Sequence, residues 1–171
     1  MGRLSTPPAI SFVARSGTGK TTLMTALISE LKTRGYRVGA IKHDAHSFEI
    51  DHPGKDSYRF TAAGADSMLI SSNRKLAFVS QHRQPPDIGE LIDRYFKDVD
   101  LILIEGFKRV GLPKIEVFRQ ECNATLLCRG EHHDPDLLAV ATDIELDVDV
   151  PQFDLNNPAA IVDFLLTCCE L

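Results

Sequence analysis

The sequence predicts an α/β fold with a mostly parallel sheet between two layers of helices. Three observations lead to this prediction. A glycine-rich turn at 14–22 lies between an apolar run and an amphipathic helical pattern, a second strand pattern follows one helix later, and the unbroken apolar run at 101–104 is typical of a strand buried on both faces. A strand, a helix and a strand in this order form a right-handed crossover between parallel strands.

The glycine-rich turn has the sequence Ala14-Arg15-Ser16-Gly17-Thr18-Gly19-Lys20-Thr21-Thr22. It matches the phosphate-binding P-loop pattern GxxxxGK(S/T) except at the first position, where Ala14 replaces glycine and a left-handed backbone would be costly. The N–H groups of such a loop converge on an anion, and a lysine in the first helical turn opposes the helix dipole unless an anion is bound. The turn therefore predicts a three-layer P-loop NTPase fold in which residues Ser16 to Thr22 bind nucleotide phosphates.

The first helix is predicted from apolar residues at helical spacing after this turn. Leu23, Leu27, Ile28 and Leu31 form its buried face, and Gly35 ends it. The other predicted strands are 36–42, 101–104, 113–119, 137–141 and 150–153, and the other predicted long helices begin near 85 and span 158–168.

The middle of the chain has a different pattern. A polar loop at 45–56 leads to a short helix at 57–63, with Asp56 as its N-cap. Two apolar runs at 67–71 and 76–80, joined by a short polar link, predict a hairpin. This hairpin is the small β extension of the predicted fold.

Composition indicates one domain that spans residues 1–171, with residues 1–8 as a flexible tail. The formal net charge of −5 gives no basic field for a nucleic-acid partner. No apolar run has the roughly 20 residues that a membrane span needs, and the N-terminus has no signal-peptide pattern. We therefore expect a cytoplasmic location without membrane contact.

The cysteines and the paired histidines are not predicted to bind metal. Cys122, Cys128, Cys168 and Cys169 have no CxxC spacing and are expected to be reduced thiols. The pair at 132–133 lies in a polar segment and is expected at the surface.

Nucleotide phosphates need a metal ion, and Mg²⁺ prefers oxygen ligands, of which the protein supplies few. Thr21 provides the hydroxyl that a P-loop offers to Mg²⁺. Glu105 ends a strand at the edge where the loop lies, whereas Asp100 begins that strand and lies at the opposite edge. Asp44 follows the second strand at the same edge as Glu105. Thr21, Glu105 and Asp44 are therefore the predicted metal ligands.

Lys20 and Glu105 are the predicted catalytic residues, with Lys20 on the terminal phosphates and Glu105 as a metal ligand or a water-positioning group. A salt bridge from Glu105 to Lys42 or Lys108 is the alternative explanation for this acid. His43 and Lys55 are candidates for an acceptor pocket, although side chains of these types in loops are often solvated.

Base recognition is assigned to Asp143, which follows a strand whose carboxyl end faces the loop. A guanine presents two adjacent N–H donors that one carboxylate can accept, and adenine does not. The local sequence is Ala141-Thr142-Asp143 rather than a clear NKxD pattern. A turn or helix-capping aspartate is the alternative.

Several segments around the loop resemble the molybdopterin-guanine dinucleotide biosynthesis protein B family (MobB). The resemblance rests on SGTGKTT at 16–22, IKHDAH at 41–46, DHPGKDSYR at 51–59, AGA at 63–65, DLILIEGFK at 100–108, PKIEVFR at 113–119 and AVATD at 139–143. Many families share the P-loop, whereas the combination of IKH, PGKDS, EGFK and PKIEV is far more specific.

The resemblance implies a cytosolic GTP-binding protein that forms a homodimer. It further implies an adaptor role in molybdenum cofactor maturation, with weak GTPase activity at most. The implied partner is the molybdopterin-guanine dinucleotide transferase (a MobA-like protein), which joins GMP to molybdopterin, and molybdopterin is a further candidate ligand. Two other functions stay open: a small-molecule kinase or ligase that uses ATP or GTP, and a structural adaptor with a vestigial nucleotide site.

Overall fold

The computed structural model describes residues 6–43, 48–122, 125–130 and 132–171. The strands are β1 (Ala9–Val13), β2 (Val38–Lys42), β3 (Ser67–Ser71), β4 (Leu76–Ser80), β5 (Leu101–Glu105), β6 (Lys114–Phe118), β7 (Leu137–Thr142) and β8 (Gln152–Asp154). The helices are α1 (Lys20–Thr33), α2 (Asp56–Ala62), α3 (Ile88–Tyr95) and α4 (Pro158–Cys168), with a 3₁₀ turn at Gln120–Cys122. The chain divides into two compact units, one of Met1–His43 with Ile92–Leu171 and one of Asp44–Leu91.

The first unit contains a six-stranded sheet in the order β2-β5-β1-β6-β7-β8. Every neighbouring pair in this sheet is parallel, which confirms the predicted parallel α/β fold. Because parallel strands end at one edge, the segments that follow β1, β5 and β6 are neighbours. The glycine-rich loop follows β1, so it lies between the ends of β5 and β6.

Alternate residues of the sheet contribute to two apolar clusters. Ile115 and Val117 of β6 belong to the larger cluster, which includes the buried faces of α1 and α4. Phe118 belongs to the smaller cluster, which includes Cys128 and Val140. The period of two along β6 therefore gives this strand two buried faces, as expected for a strand inside a parallel sheet.

The second unit contains α2 and the antiparallel hairpin of β3 and β4. Both hairpin strands begin and end at the predicted residues. The predicted N-cap of α2 is wrong by one position, because Lys55 is the N-cap and Asp56 is the first helical residue. A carboxylate in the first turn is favourable beside the positive end of the helix, and Asp56 also pairs with Arg59 at 3.6 Å.

The described part of the N-terminal segment contacts other residues of the first unit. Thr6 Oγ1 donates to Asp93 Oδ1 at 3.0 Å, and the carbonyl of Pro8 accepts from the N–H of Ile102 at 2.9 Å. Residues 1–5 of the predicted flexible tail lie outside the described residues.

In the described part of the chain, no helix has the length and apolar character that would let it cross a membrane.

Candidate nucleotide-binding site

The loop between β1 and α1 contains two residues in the left-handed region. Gly17 and Gly19 have φ of 84° and 85°. A Cβ on Gly17 would meet no atom within 4 Å, so the backbone conformation rather than space requires glycine there. Thr18 lies between them, only 1% exposed, and its hydroxyl donates to the carbonyl of Arg15 at 3.0 Å. Alternating backbone conformations of this kind form a concave set of N–H groups that binds anions.

Ala14 is compatible with this loop. Its side chain is 3% exposed and belongs to the larger apolar cluster. Among the described residues, Phe107 and Glu170 are the only non-glycine residues with positive φ. The cost that a left-handed backbone would impose on alanine therefore does not arise at Ala14.

Lys20 and Glu105 form an ion pair at the start of α1. Lys20 Nζ lies 3.0 Å from Glu105 Oε1, and the two side chains are 19% and 18% exposed. Glu105 pairs in register with Phe12 and ends β5 beside the loop, as the edge argument predicts. Lys42 and Lys108, the alternative partners, are exposed. The structure thus places Glu105 at the phosphate loop, while its role as a metal ligand or catalytic group stays a prediction.

The segment after Glu105 has an unusual backbone. Gly106 and Phe107 have φ of 102° and 53°, and the Phe107 ring stacks on His43 with ring centroids 4.2 Å apart. Ser11 Oγ donates to the Gly106 carbonyl at 2.5 Å. Non-glycine residues in the left-handed region are costly and concentrate at functional sites. Sequence reasoning missed Ser11 and Phe107, because neither backbone strain nor ring stacking has a signal in a single sequence.

Arg119 connects the loop to Asp143. Its Nε lies 3.5 Å from the Thr18 carbonyl, and its Nη1 lies 3.7 Å from Asp143 Oδ2. The other oxygen of Asp143 accepts from the N–H of Gln120 at 3.0 Å. Sequence reasoning missed Arg119, because the sequence does not show that the strand before it lies next to β1.

Two cavities adjoin this connection within the first unit. One, of about 330 Å³, is lined by Gly19, Thr22, Leu23, Ala26, Arg119, Leu155, Asn156 and Pro158. The other, of about 500 Å³, is lined by Thr142, Asp143, Ile144, Glu145, Gln152, Phe153, Asp154 and Asn156. Asn156 lines both cavities, so one cavity beside the loop and one beside Asp143 are neighbours.

The other predicted site residues have different positions. Ser16, Thr21 and Thr22 are exposed on the loop and on the first turn of α1. Asp44 lies outside the described residues, and so does His46 of the quoted IKHDAH segment. Asp100 lies at the opposite edge, where its Oδ2 accepts from the N–H of Arg37 at 2.8 Å.

The described residues include few candidate metal ligands. No group of three or more His, Cys, Asp or Glu side chains is placed to hold a metal there. Thr21 and Glu105 supply hard oxygen atoms at the loop, which suits Mg²⁺ because this ion takes few protein ligands. His132 and His133 are exposed, as predicted.

A buried lysine paired with two partly exposed carboxylates supports β6 beside the candidate site. Lys114 is 1% exposed, and its Nζ lies 3.1 Å from Asp134 and 3.4 Å from Asp136. Burial alone would raise the pKa of Asp134, but hydrogen bonds from the Asp136 N–H and from Lys114 lower it. Because the Lys114 side chain is buried and paired with two carboxylates, it fixes the strand rather than binding a solvent-borne ligand.

Glu116 holds the segment that covers the other face of β6. Its two carboxylate oxygens accept from the N–H groups of Leu127 at 2.6 Å and Cys128 at 2.8 Å. Burial, together with the negative charge of Glu116, raises the pKa of the Cys128 thiol to about 12. All four cysteines are free thiols, as predicted.

Comparison with known proteins identifies the family. A family profile described as MobB, molybdopterin guanine dinucleotide synthesis protein B, matches residues 9–143. The molybdopterin-guanine dinucleotide biosynthesis adapter protein of Escherichia coli K12 is 37% identical, over 93% of this chain and 91% of its own length. The protein of the same name from Haemophilus influenzae is 36% identical, over 92% of this chain and 87% of its own length.

The fold comparison agrees with the sequence comparison. A crystal structure of molybdopterin-guanine biosynthesis protein B superposes with a TM-score of 0.74 and 30% identity, and the match covers 94% of this chain and 99% of that one. A second, from Bacillus subtilis MobB, superposes with a TM-score of 0.72 and 28% identity, covering 94% and 96%. The chain belongs to the MobB family.

Proposed function

We propose that this chain is a GTP-binding adapter in molybdopterin guanine dinucleotide biosynthesis, which assists the transferase that joins GMP to molybdopterin. The observation that carries the nucleotide part is the largely buried Lys20–Glu105 pair beside a loop with two left-handed glycines. The printed names of the relatives, adapter proteins of this biosynthesis, support the biosynthetic part.

The loop supplies phosphate binding in this proposal. The N–H groups around Gly17 and Gly19 donate hydrogen bonds to the phosphate oxygens, and the positive end of α1 adds to the attraction. Lys20 leaves Glu105 and binds the terminal phosphates. Lys20 is already about four-fifths buried beside the loop, so little side-chain freedom is lost when it turns to the phosphates.

Mg²⁺ would be held by Thr21 and Glu105, with Asp44 as a further candidate ligand. When bound, this ion supplies positive charge to the phosphate oxygens. The carboxylate of Glu105 then loses Lys20 as its partner but gains a cation of higher charge. This exchange keeps an acid at the end of β5 compatible with a polyanionic ligand.

The guanine base is proposed to lie in the two cavities that share Asn156. A carboxylate has about four acceptor positions, so Asp143 retains capacity for two guanine N–H groups beside Gln120 and Arg119. Thr22 lines the end of the space near the loop, and Glu145 lines the end near Asp143. The two neighbouring cavities therefore offer room for a nucleotide between the phosphate loop and an acid suited to guanine.

Hydrolysis is proposed to be weak. Lys20 and Glu105 are the catalytic candidates, since one stabilises phosphate charge and the other positions water. The Glu105 carboxylate is paired with Lys20 at 3.0 Å and would hold Mg²⁺ after nucleotide binding, so neither arrangement leaves it free to activate water. A slow GTPase fits an adapter, whose task is completed by its partner enzyme.

A homodimer through the hairpin is also proposed. Leu69, Leu76 and Phe78 lie on one face of β3 and β4 and are 56%, 62% and 39% exposed. A two-stranded hairpin is marginally stable in water, and an apolar face of this kind usually contacts a partner. A second copy, with the same face in a two-fold arrangement, would bury it. Sedimentation equilibrium of Leu69→Asp should show a monomer, and an unchanged dimer would contradict this surface.

The nucleotide part is tested with Lys20→Ala and the exposed control Lys108→Ala. Thermal unfolding is measured with and without Mg-GTP. We expect the ligand-induced rise in Tm to disappear in Lys20→Ala and to persist in Lys108→Ala. An unchanged rise in Lys20→Ala would show that the loop is not the phosphate site.

The adapter part is tested by the rate at which the purified transferase forms molybdopterin guanine dinucleotide. Wild-type chain should increase this rate, and Lys20→Ala should increase it less. Formation of nucleoside diphosphate and release of free phosphate are followed in parallel. Fast diphosphate formation that depends on a small acceptor, without any effect on the transferase, would instead indicate a kinase or ligase.

A further inference from the structure

The segment that follows β6 contacts the carbonyl groups of the phosphate loop. Arg119 Nε donates to the carbonyl of Thr18 at 3.5 Å. Cys122 Sγ donates to the carbonyl of Gly17 at 3.6 Å. These carbonyls belong to consecutive peptide units at the centre of the loop, between the left-handed Gly17 and Gly19. Two neighbouring peptide units of the loop are therefore held through their oxygen atoms.

These contacts set the direction of two loop N–H groups. A peptide unit is planar and trans, so its C=O and its N–H point in opposite directions. The carbonyl of Thr18 shares a unit with the N–H of Gly19, and the carbonyl of Gly17 shares a unit with the N–H of Thr18. Donors on the carbonyl side therefore turn both N–H groups to the opposite side of the loop. In a P-loop it is the backbone N–H groups that bind the phosphate oxygens.

The Arg119 guanidinium also reaches the acid that is proposed to bind guanine. Its Nη1 lies 3.7 Å from Asp143 Oδ2, while the N–H of Gln120 donates to Oδ1 at 3.0 Å. Its Nη2 lies against the loop, because a Cβ built on Gly19 would be 3.7 Å away from it. A guanidinium is planar and its donors form a rigid fork. One rigid group thus fixes the spacing between the loop and Asp143.

We propose that Arg119 is a positioning residue that couples phosphate binding at the loop to guanine recognition at Asp143. The inference rests on the proposed function and deepens it, because it assigns the guanine selectivity of that GTP site to a third residue. Phosphates on the loop fix the N–H of Gly19 and with it the guanidinium. The guanidinium in turn holds Asp143 in the orientation that accepts two guanine N–H groups. Each half of the ligand then loses less freedom when the other half is already bound.

Two simpler roles for Arg119 make different predictions. A contact that only stabilises the fold would affect Tm and leave nucleotide selectivity unchanged. A contact that only supplies positive charge would be retained in Arg119→Lys, whereas a lysine cannot hold two acceptors with a planar fork. The matched control is Arg37→Gln, which removes an arginine whose Nε lies 3.9 Å from Asp100 Oδ2 at the opposite edge of the sheet.

The first test measures the coupling with the two halves of the ligand. Isothermal titration gives the affinity for guanosine with and without saturating magnesium tripolyphosphate. In wild type and Arg37→Gln, tripolyphosphate should raise guanosine affinity about fivefold or more, the lower end of the usual coupling between sites. In Arg119→Gln and Arg119→Lys this factor should fall to about one. A factor that is unchanged in both Arg119 variants, or absent from wild type, would overturn the proposal.

The second test is a double-mutant cycle on the ratio of GTP affinity to ATP affinity. Arg119→Lys should lower this ratio at least about threefold, because Asp143 loses the group that orients it. In Asp143→Asn, the further change Arg119→Lys should leave the ratio as it is, since the acid to be oriented is already gone. An unchanged ratio in Arg119→Lys, or the same decrease in both backgrounds, would contradict a role through Asp143.

Two variants separate a failure of this inference from a failure of the GTP site. Retained Mg-GTP binding in Lys20→Ala would overturn the proposed phosphate site and this inference with it. If Lys20→Ala abolishes binding and Asp143→Asn lowers the ratio, wild-type selectivity and coupling in both Arg119 variants would overturn the inference alone. Thermal unfolding without ligand shows which variants fold, and Arg119→Lys keeps the charge at this position should Arg119→Gln unfold.

Discussion

Lys20 Nζ and Glu105 Oε1 lie 3.0 Å apart, so the cation proposed for phosphate binding is held by the acid proposed for Mg²⁺. One residue begins α1 and the other ends β5, and the parallel pairing of β5 with β1 brings them together. Nucleotide binding must therefore exchange partners at both residues. Because of this exchange, the effect of replacing Glu105 on GTP affinity should depend on whether Mg²⁺ is present.

Glu105→Gln should increase GTP affinity in EDTA by about three- to tenfold, because one charge-assisted hydrogen bond no longer competes for Lys20. With Mg²⁺ present the gain should disappear, since a carboxylate ligand of the metal has been lost. Isothermal titration under both conditions measures this. Glu30→Gln, which removes an acid paired with Arg34 far along α1, is the control. The same change in affinity with and without Mg²⁺ would contradict a metal-ligating role for Glu105.

Gly17→Ala should destabilise the protein by roughly 1–2 kcal/mol, the cost of a left-handed backbone in a residue with Cβ. It should also weaken GTP binding, because relief of the strain changes the direction of the loop N–H groups. Gly111→Ala is the control, since a Cβ there meets only Asp136 Oδ2 at 3.7 Å. Urea unfolding and GTP titration of both variants test this, and equal effects would contradict the conformational argument.

Ala14→Gly should leave GTP affinity within about twofold of wild type, which is less than 0.5 kcal/mol. It should lower the free energy of unfolding by about 1 kcal/mol, because a buried methyl group is lost. The P-loop pattern alone predicts the opposite, a gain in GTP affinity, because the substitution restores the glycine of the pattern. A clear gain in GTP affinity would show that Ala14 strains the loop.

Asp143→Asn should weaken GTP binding about tenfold more than ATP binding, because the amide offers one acceptor oxygen to the two guanine N–H groups. The ratio of the two affinities is the informative quantity. Asp143 also contacts Arg119 and Gln120, and disturbance of those contacts would weaken both nucleotides alike. An unchanged GTP to ATP ratio would therefore assign Asp143 a structural role.

Cys128 should make the protein less stable at alkaline pH. Burial raises the pKa of its thiol to about 12, above the value near 8.5 of an unfolded chain. Above pH 8.5 the thiol of Cys128 loses its proton in the unfolded state and keeps it in the folded state. Its contribution to the free energy of unfolding is therefore complete below that pH and is lost as the pH rises toward 12. Wild type should lose up to about 1.4 kcal/mol per pH unit more than Cys128→Ala between pH 9 and 11.

Urea unfolding across this pH range measures the difference in slope between the two proteins. Cys122→Ala, which removes an exposed thiol, is the control and should follow wild type. The replacement of Cys128 also leaves a small cavity, but that cost is the same at every pH. Parallel curves for wild type and Cys128→Ala would contradict the raised pKa.

The sequence by itself determined most of the helices and strands and the sheet edge at which the candidate site lies. The hairpin strands and α4 begin and end at the predicted residues, because alternation, proline and turn residues are local signals. The rejection of Asp100 and the choice of Glu105 followed from the direction of one strand. In parallel sheets, chain direction alone decides which end of a strand faces the ligand.

Tertiary structure decided which side chains meet. The strand order places β6 beside β1, and only this order brings Arg119 to the Thr18 carbonyl and connects it to Asp143. The burial of Ala14 in the larger apolar cluster likewise cannot be predicted from the sequence of the loop. Such contacts join residues more than 100 positions apart, as with Thr18 and Arg119, and depend on packing that periodicity along one segment does not encode.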